Sequence, residues 1–152
     1  MPSKGELRAA MRATRRAIAD PGERSAVIWE RVAALEAVRL ARRVMVFTSI
    51  AGEPETAPFI EWCRIKGKAT VVPEDEPAPG WPDVVIVPGL AFTLGGERLG
   101  QGGGWYDRFL AERRDDCATI GVGFGEQLLG SLPTETHDIV LDAVVTDAPS
   151  DG

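Results

Sequence analysis

The sequence is poor in the residues that most often build metal and disulfide sites. It has 152 residues but only two cysteines, Cys63 and Cys117, and a single histidine, His137. The cysteines lie far apart and form no Cys-x-x-Cys pair, so each is expected to be a small buried apolar residue. The scarcity of both residue types argues against a zinc site.

Long hydrophobic runs are absent as well. No apolar stretch approaches the roughly 20 residues that span a bilayer, and the N-terminus is charged rather than signal-like. We therefore expect a cytoplasmic protein without a membrane partner. The net charge of −6 argues against nucleic acid as the main partner.

Positive charge is concentrated near the N-terminus. Residues 1–43 hold ten Lys or Arg and five Asp or Glu, a net charge of +5, so residues 44–152 carry −11. Lys4, Arg8, Arg12 and Arg15 form a stripe along the first predicted helix. We interpret this stripe either as a solvated helix face or as a surface that offsets the charge of a bound anion.

Apolar, β-branched runs alternate with helical patterns along the chain. Strands are predicted at 44–49, 68–72, 83–87, 118–124 and 139–145, and helices at 4–19, from 21 onward, 57–66 and 105–114. This alternation predicts an α/β fold with a mostly parallel sheet flanked by helices. We expect one domain over residues 1–147 and a frayed tail at 148–152.

Local signals indicate where the helices begin and where regular structure is interrupted. Ser3 and Glu6 have the spacing of a capping box, and Thr56 is a candidate N-cap for the helix that begins at Ala57. The proline-rich segment 74–82 is predicted to be an extended linker without helix.

A glycine-rich segment, Gly95 to Arg108, lies between the third predicted strand and a helix. Such a loop allows close approach of a ligand, and a helix N-terminus offers N–H groups to an anion. The segment has neither a Walker motif nor the spacing of a dinucleotide fingerprint. The glycines alone would fit a structural turn as well as a ligand site. The nearby Arg98, Asp107 and Arg108 favour a phosphate-binding loop.

Two adjoining segments resemble a known enzyme family. Pro88-Gly-Leu-Ala-Phe-Thr and Gly96-Glu-Arg-Leu-Gly-Gln-Gly-Gly-Gly-Trp-Tyr-Asp-Arg108 are similar to the signature of 5-formyltetrahydrofolate cyclo-ligases, also called 5,10-methenyltetrahydrofolate synthetases. The resemblance implies a three-layer fold of the NagB/RpiA/CoA-transferase type. It also implies ATP-dependent conversion of 5-formyltetrahydrofolate to 5,10-methenyltetrahydrofolate, with release of ADP and phosphate and with Mg²⁺ as cofactor.

The resemblance implies site residues in three groups. ATP is expected to contact the start of the first helix and the glycine loop, at Lys4, Arg8, Arg98, Leu99, Gly100, Gln101, Gly102, Gly103, Gly104, Trp105 and Tyr106. The folate is expected to contact Thr48, Glu53, Gln101, Gly102, Gly103, Gly104 and Trp105. Arg98 and Asp107 are expected to be catalytic, and Asp107 and Asp138 to bind Mg²⁺.

Some of these residues also have a plainer interpretation. Asp107 would be favoured in the first turn of a helix without any metal. Glu55 competes with Glu53 for the folate-binding position, although it also suits a helix start. His137 is interpreted as a structural hydrogen-bonding residue. At Gln101 and Trp105 the sequence departs from the family pattern, which leaves their influence on substrate choice open.

The chain is shorter than the family pattern between the second and third strands. Only residues 74–82 fill a gap in which family members carry extra strands and an aromatic loop that walls the folate site. Glu76-Pro77 resembles a remnant of that element, and Trp81 either replaces the lost wall or packs elsewhere. Two alternatives therefore stay open: a shortened relative that binds nucleotide or folate without turnover, and a phosphotransferase for another small molecule. The oligomeric state is also open, and a monomer is compatible with the sequence.

Overall fold

The computed structural model describes residues 1–149, so residues 150–152 of the predicted frayed tail, 148–152, lie outside it. The helices are α1 (Lys4–Arg16), α2 (Pro21–Ala33), α3 (Glu36–Leu40), α4 (Ala57–Ile65) and α5 (Trp105–Ala111). The strands are β1 (Arg43–Met45), β2 (Ala69–Val71), β3 (Val84–Val87), β4 (Ala91–Phe92), β5 (Arg98–Leu99), β6 (Ala118–Val122) and β7 (Ala143–Val145). Short 3₁₀ turns occupy Pro73–Asp75 and Gly125–Gln127.

The fold is built around a parallel sheet with the strand order β2-β1-β3-β6-β7. Val44 of β1 lies opposite both Thr70 of β2 and Val84 of β3. The chain runs outward from β1 to one edge, and then crosses to β3 and continues to the other edge. In sheets of this kind ligands bind beyond the carboxyl ends of the strands where the order reverses. Here that point lies between β1 and β3.

Helices cover both faces of the sheet. Val84 and Ile86 of β3 belong to a buried cluster that also contains residues of α2, α3 and α4, such as Ile28 and Phe59. Val87, one residue beyond Ile86, belongs to a second cluster with residues of α5. Because side chains alternate across a strand, these clusters are the two faces of one sheet. The predicted three-layer α/β fold is confirmed.

The strands are shorter than the sequence predicted. Val46 and Phe47 are buried, but β1 ends at Met45. The last strand begins at Ala143 rather than at 139, because the N–H of Leu141 donates to the oxygen of Gly96 at 2.8 Å, outside the sheet. Apolar character predicted the burial of Val46, Phe47 and Leu141 correctly, but not where each strand begins or ends.

The helix boundaries agree with some of the local signals. Ser3 and Glu6 form both bonds of the predicted capping box. Thr56 is the N-cap residue of α4, as predicted, but its side chain makes no capping bond. Its Oγ1 instead accepts from the N–H of Ser49 at 3.1 Å and so closes the loop after β1. The 3₁₀ turn in the proline-rich segment and helix α3 were not predicted. No helix in residues 1–149 combines the length and apolar character needed to cross a bilayer.

A β-hairpin separates the central strand from the glycine loop. The predicted direct passage from strand to loop was wrong, because β4 and β5 pair antiparallel between them. Arg98 and Leu99 therefore lie on β5 and not in the loop. Phe92 and Leu99 are buried, so the hairpin is anchored on the core and gives Arg98 a firm backbone.

We predict that Gly96→Ala destabilises the protein by about 2 to 4 kcal/mol, because it combines backbone strain with overlap. Gly96 has φ +98°, and a methyl group there would overlap the carbonyl oxygen of Leu141. Denaturant unfolding followed by circular dichroism measures the change. Gly80→Ala is the matched control, because nothing lies within 4 Å of a methyl group at Gly80. Equal stabilities of the two variants would contradict the prediction.

Candidate active site

A cleft of about 540 Å³ opens at the carboxyl ends of the strands, where the sheet order reverses. It is lined by Lys4, Arg8, Glu53, Pro88, Gly89, Arg98, Leu99, Gly100, Gln101, Gly102, Gly103, Gly104, Trp105, Tyr106, Asp107, Glu135, His137 and Asp138. The cleft brings together all the site residues predicted from the sequence except Thr48. Thr48 is exposed and lies outside this lining.

Arg98 is the most buried cation of the cleft. Its Nε donates to the oxygen of Pro88 at 2.7 Å, and its guanidinium lies 5.1 Å from the centre of the Tyr106 ring. Burial lowers the pKa of Arg98 from its usual value, while the charges of Asp107, Tyr106 and Asp138 act in the opposite direction. An arginine stays protonated under such conditions.

No carboxylate within residues 1–149 forms a salt bridge with Arg98. Its terminal amino groups also have no hydrogen-bond acceptor in that part of the chain. A largely desolvated cation without a counter-charge attracts an anion. Arg98 is therefore suited to bind an anionic ligand in the cleft.

The glycine loop, residues 100–104, lines the same cleft. Gly102 and Gly104 have φ values of +117° and +71°, which glycine adopts readily. Within the described chain, the N–H groups of residues 100–104 make no hydrogen bond to another residue. Arg8 reaches the loop from α1 and donates through Nε to the oxygen of Gly100 at 3.0 Å. Unpaired backbone donors beside cations are an arrangement that binds phosphate groups.

Lys4 is held by the turn that precedes β7. Its Nζ lies 2.8 Å from Oδ2 of Asp138 and 3.4 Å from Oε1 of Glu135. Burial by itself lowers the pKa of Lys4, but the hydrogen bond to Asp138 and the two negative charges raise it above its usual value. Burial would raise the pKa of Asp138, but the bonds from Lys4 and the N–H of Glu135 hold it below its usual range.

Asp107 has one oxygen engaged and one free. Its Oδ1 accepts from the N–H of Ile139 at 3.1 Å, and its Oδ2 has no partner within residues 1–149. The side chain does not cap α5, whose N-cap residue is Gly104. In the described part of the chain no group of three or more His, Cys, Asp or Glu could hold a metal ion. Mg²⁺ commonly uses only one or two carboxylates together with water and phosphate oxygens, so the free oxygen of Asp107 suits it.

Glu53, rather than Glu55, faces the cleft. Glu53 is buried and its Oε1 accepts from the N–H of Ile50 at 2.9 Å. Burial raises the pKa of Glu53 above its usual value, although the bond from Ile50 and the charge of Arg15 act in the opposite direction. Glu55 is exposed, and its backbone bonds Ser25 and Trp29 of α2 instead.

Sequence reasoning did not identify Arg15 as a buried residue beside this site. Arg15 is 8% exposed, and its Nη2 donates to the oxygen of Ala51 at 3.3 Å. Gly52 packs so closely that a methyl group there would lie 2.8 Å from Cβ of Arg15. The helical stripe of charge was visible in the sequence, but not which of its members becomes enclosed. Glu135, which also lines the cleft, carried no signal in the sequence.

The shortened segment after β2 does not supply an aromatic wall to the cleft. Trp81 is not part of the lining, and its ring packs against the guanidinium of Arg43 at 5.8 Å. Glu76 and Pro77 line a neighbouring groove of about 300 Å³. Trp105 lines both the groove and the cleft, and thus connects the two spaces.

A sequence profile of the 5-formyltetrahydrofolate cyclo-ligase family matches residues 1–79 and 75–147. The chain belongs to this family. The two matched stretches overlap at residues 75–79, within the short segment between β2 and β3.

Three relatives show the extent of the similarity to the cyclo-ligase family. A 5-formyltetrahydrofolate cyclo-ligase of Mycolicibacterium smegmatis is 34% identical over 98 residues, which cover 57% of this chain and 50% of that protein. The Escherichia coli K12 cyclo-ligase is 33% identical over 146 residues, covering 72% of this chain and 80% of that protein. The NMR structure of Aquifex aeolicus 5,10-methenyltetrahydrofolate synthetase has a TM-score of 0.80 and 25% identity, covering 96% of this chain and 90% of that one. The chain thus spans half the length of the first relative and most of the other two.

We predict that Asp138→Asn lowers the free energy of unfolding at neutral pH and makes this free energy depend less on pH in the acid range. A carboxylate with a depressed pKa stabilises the fold above its unfolded-state pKa, and this contribution is lost as pH falls through the folded-state pKa. The difference between the native protein and the variant should therefore shrink as pH falls below about 4.

Urea unfolding at a series of pH values tests this, with Asp115→Asn as the control because Asp115 is exposed and makes no ion pair within residues 1–149. A stability difference for Asp138→Asn that stays constant from neutral pH to about pH 3 would contradict the ion pair with Lys4.

Proposed function

We propose that this chain converts 5-formyltetrahydrofolate to 5,10-methenyltetrahydrofolate at the expense of ATP, releasing ADP and phosphate. The observation that carries the proposal is the composition of the cleft. Lys4, Arg8 and Arg98 converge there with the unpaired donors of the glycine loop, and Glu53 lies in the same space. The cations and the loop N–H groups suit a triphosphate. The carboxylate of Glu53 suits a ligand rich in N–H donors, such as a reduced pterin. Membership in the cyclo-ligase family supports this pairing of ligands.

The reaction needs help because the oxygen of an N5-formyl group leaves poorly as hydroxide. Transfer of the γ-phosphoryl group of ATP to that oxygen releases ADP and turns the oxygen into part of a good leaving group. N10 of the same folate then attacks the formyl carbon, loses its proton, and phosphate departs as the ring closes. Positioning the two ligands and neutralising charge are the main tasks left to the protein.

The residues of the cleft divide these tasks by their surroundings. Arg98 would bind the transferring phosphoryl group, because burial desolvates its guanidinium and it forms no salt bridge within residues 1–149. Arg8 would bind the phosphate chain from the side of α1 while it stays bonded to Gly100. Glu53 would accept hydrogen bonds from the folate, since only one of its carboxylate oxygens has a donor in that part of the chain.

Mg²⁺ would be held by Asp107 through its free oxygen, and the bound ion would neutralise phosphate charge. Asp138 was also predicted as a metal ligand, and that stays a prediction. Its bonds to Lys4 and to the N–H of Glu135 favour a role in orienting Lys4.

A relative that binds without turnover is the second candidate. The observation in its favour is that the segment replacing the family's longer insertion adds no aromatic residue to the cleft lining. Phosphoryl transfer to a different small molecule would need only the cationic half of the cleft.

The cytoplasmic location and the oligomeric state stay predictions.

We predict turnover when the protein is incubated with ATP, Mg²⁺ and 5-formyltetrahydrofolate. Product formation is followed by the absorbance of the methenyl compound, and ADP release is measured in the same samples. Chelation of the metal should stop both signals, and restored Mg²⁺ should recover them. Nucleotide binding without methenyl product would favour the binding relative. ADP release that requires another acceptor would favour the phosphotransferase.

We predict that Asp107→Asn lowers kcat by about a hundredfold or more, since one preorganised charge contributes on that scale. The asparagine oxygen can still accept from Ile139, so the variant removes the charge and keeps this contact. Thermal unfolding should match that of the native protein. Asp115→Asn, with an exposed carboxylate, serves as the control. Unchanged kcat and Mg²⁺ dependence in Asp107→Asn would refute the metal-binding role.

A further inference from the structure

Three arginines hold carbonyl oxygens of the glycine loop. Arg8 donates to Gly100 as described above, Arg12 donates through Nη2 to the oxygen of Gln101 at 3.1 Å, and Arg108 donates through Nη1 to the oxygen of Gly103 at 2.7 Å. Arg8 lines the cleft, but Arg12 and Arg108 do not. The loop is thus bonded on its outer side by one side chain from α1 and one from α5.

These outer bonds determine where two N–H groups point. The described chain contains no cis peptide, and in a trans peptide the C=O and the following N–H point in opposite directions. Arg12 bonds the oxygen of Gln101 from outside the cleft lining, so the N–H of Gly102 points away from Arg12. Arg108 bonds the oxygen of Gly103 in the same way, so the N–H of Gly104 points away from Arg108.

Without such bonds, nothing in the local sequence would keep these peptides in place. Both peptides adjoin glycines, whose backbone is free to adopt several conformations. A flipped peptide would present its carbonyl oxygen to the cleft in place of its N–H group. A carbonyl oxygen repels a phosphate, so each flip would exchange an attractive group for a repulsive one.

We propose that Arg12 and Arg108 are positioning residues that keep the N–H groups of Gly102 and Gly104 directed at the phosphate chain of the nucleotide. Neither arginine need touch the ligand. The inference rests on the proposed function, since it assumes that the cleft binds ATP. It extends that function by assigning the shape of the phosphate-binding loop to two side chains outside the cleft.

The test compares Arg12→Met and Arg108→Met with Arg16→Met. Arg16 lies on the same helix as Arg12, is exposed, and makes no hydrogen bond through its side chain in the described structure, so its variant loses the same charge without the contact. Each of the two variants should weaken binding of a non-hydrolysable ATP analogue about tenfold, the value of one charged hydrogen bond. Calorimetry in the presence of Mg²⁺ measures this. Arg12→Lys, which keeps a charged donor, should recover part of the affinity.

Kinetics and spectroscopy separate positioning from loss of structure. KM for ATP should rise by a similar factor, while KM for the folate and the melting temperature stay near those of the native protein. In ¹⁵N-labelled protein, the amide signals of Gly102 and Gly104 should shift when inorganic triphosphate is added. They should shift less in the variant whose arginine held the preceding carbonyl.

The possible failures are distinguishable. If the native protein binds no nucleotide, the proposed function and this inference both fall. If the native protein binds and turns over but both variants match Arg16→Met, only the positioning role is overturned. A fall in melting temperature together with weaker folate binding would show a general structural role, and would equally overturn it.

Discussion

Helix α1 ties together the three segments that form the cleft. Its basic side chains bond the loop after β1 through Arg15, the glycine loop through Arg8 and Arg12, and the turn before β7 through Lys4. Leu7 and Met11 of the same helix pack in one apolar cluster with Ala91 and Leu99 of the β4–β5 hairpin. The arrangement of the site depends on this one helix, because its residues contact segments that are far apart in the chain.

This arrangement has an energetic penalty at Arg15. Its guanidinium is buried, and Nη1 has no hydrogen-bond partner within residues 1–149. A buried donor without a partner costs about 1 to 3 kcal/mol. Burial lowers the pKa of Arg15, while the charge of Glu53 raises it, so the two residues support each other's charged state without a direct salt bridge. The loop that presents Glu53 to the cleft is thereby held close to α1.

The parts of the fold with a strong periodic pattern could be predicted from the sequence. The run from Val84 to Val87 is apolar at every position and forms the central strand. The spacing of Ile28 and Val32 predicted the buried face of α2. The hairpin could not be predicted, because β4 and β5 have two residues each and are too short to show alternation.

The residues predicted for the site lie together where the family signature is local, and the sequence shows less elsewhere. Arg98, Asp107 and the glycines lie in one stretch and line one cleft. The contact of Lys4 with Asp138 joins residues 134 positions apart, which no local pattern reveals. Thr48 was placed at the end of a strand that in fact stops at Met45, and it is exposed and outside the cleft lining. A prediction that depends on where a strand ends carries the error of that boundary.

The order of the strands also bears on how this protein behaves in concentrated solution. The two edges of the sheet are β2 and β7, and each has three residues. An edge of that length offers few backbone groups to a strand from another copy, whereas a long flat edge recruits neighbours into aggregates. The central strand, β3, is paired with β1 on one side and with β6 on the other. The most β-prone stretch of the chain is thus kept away from intermolecular pairing.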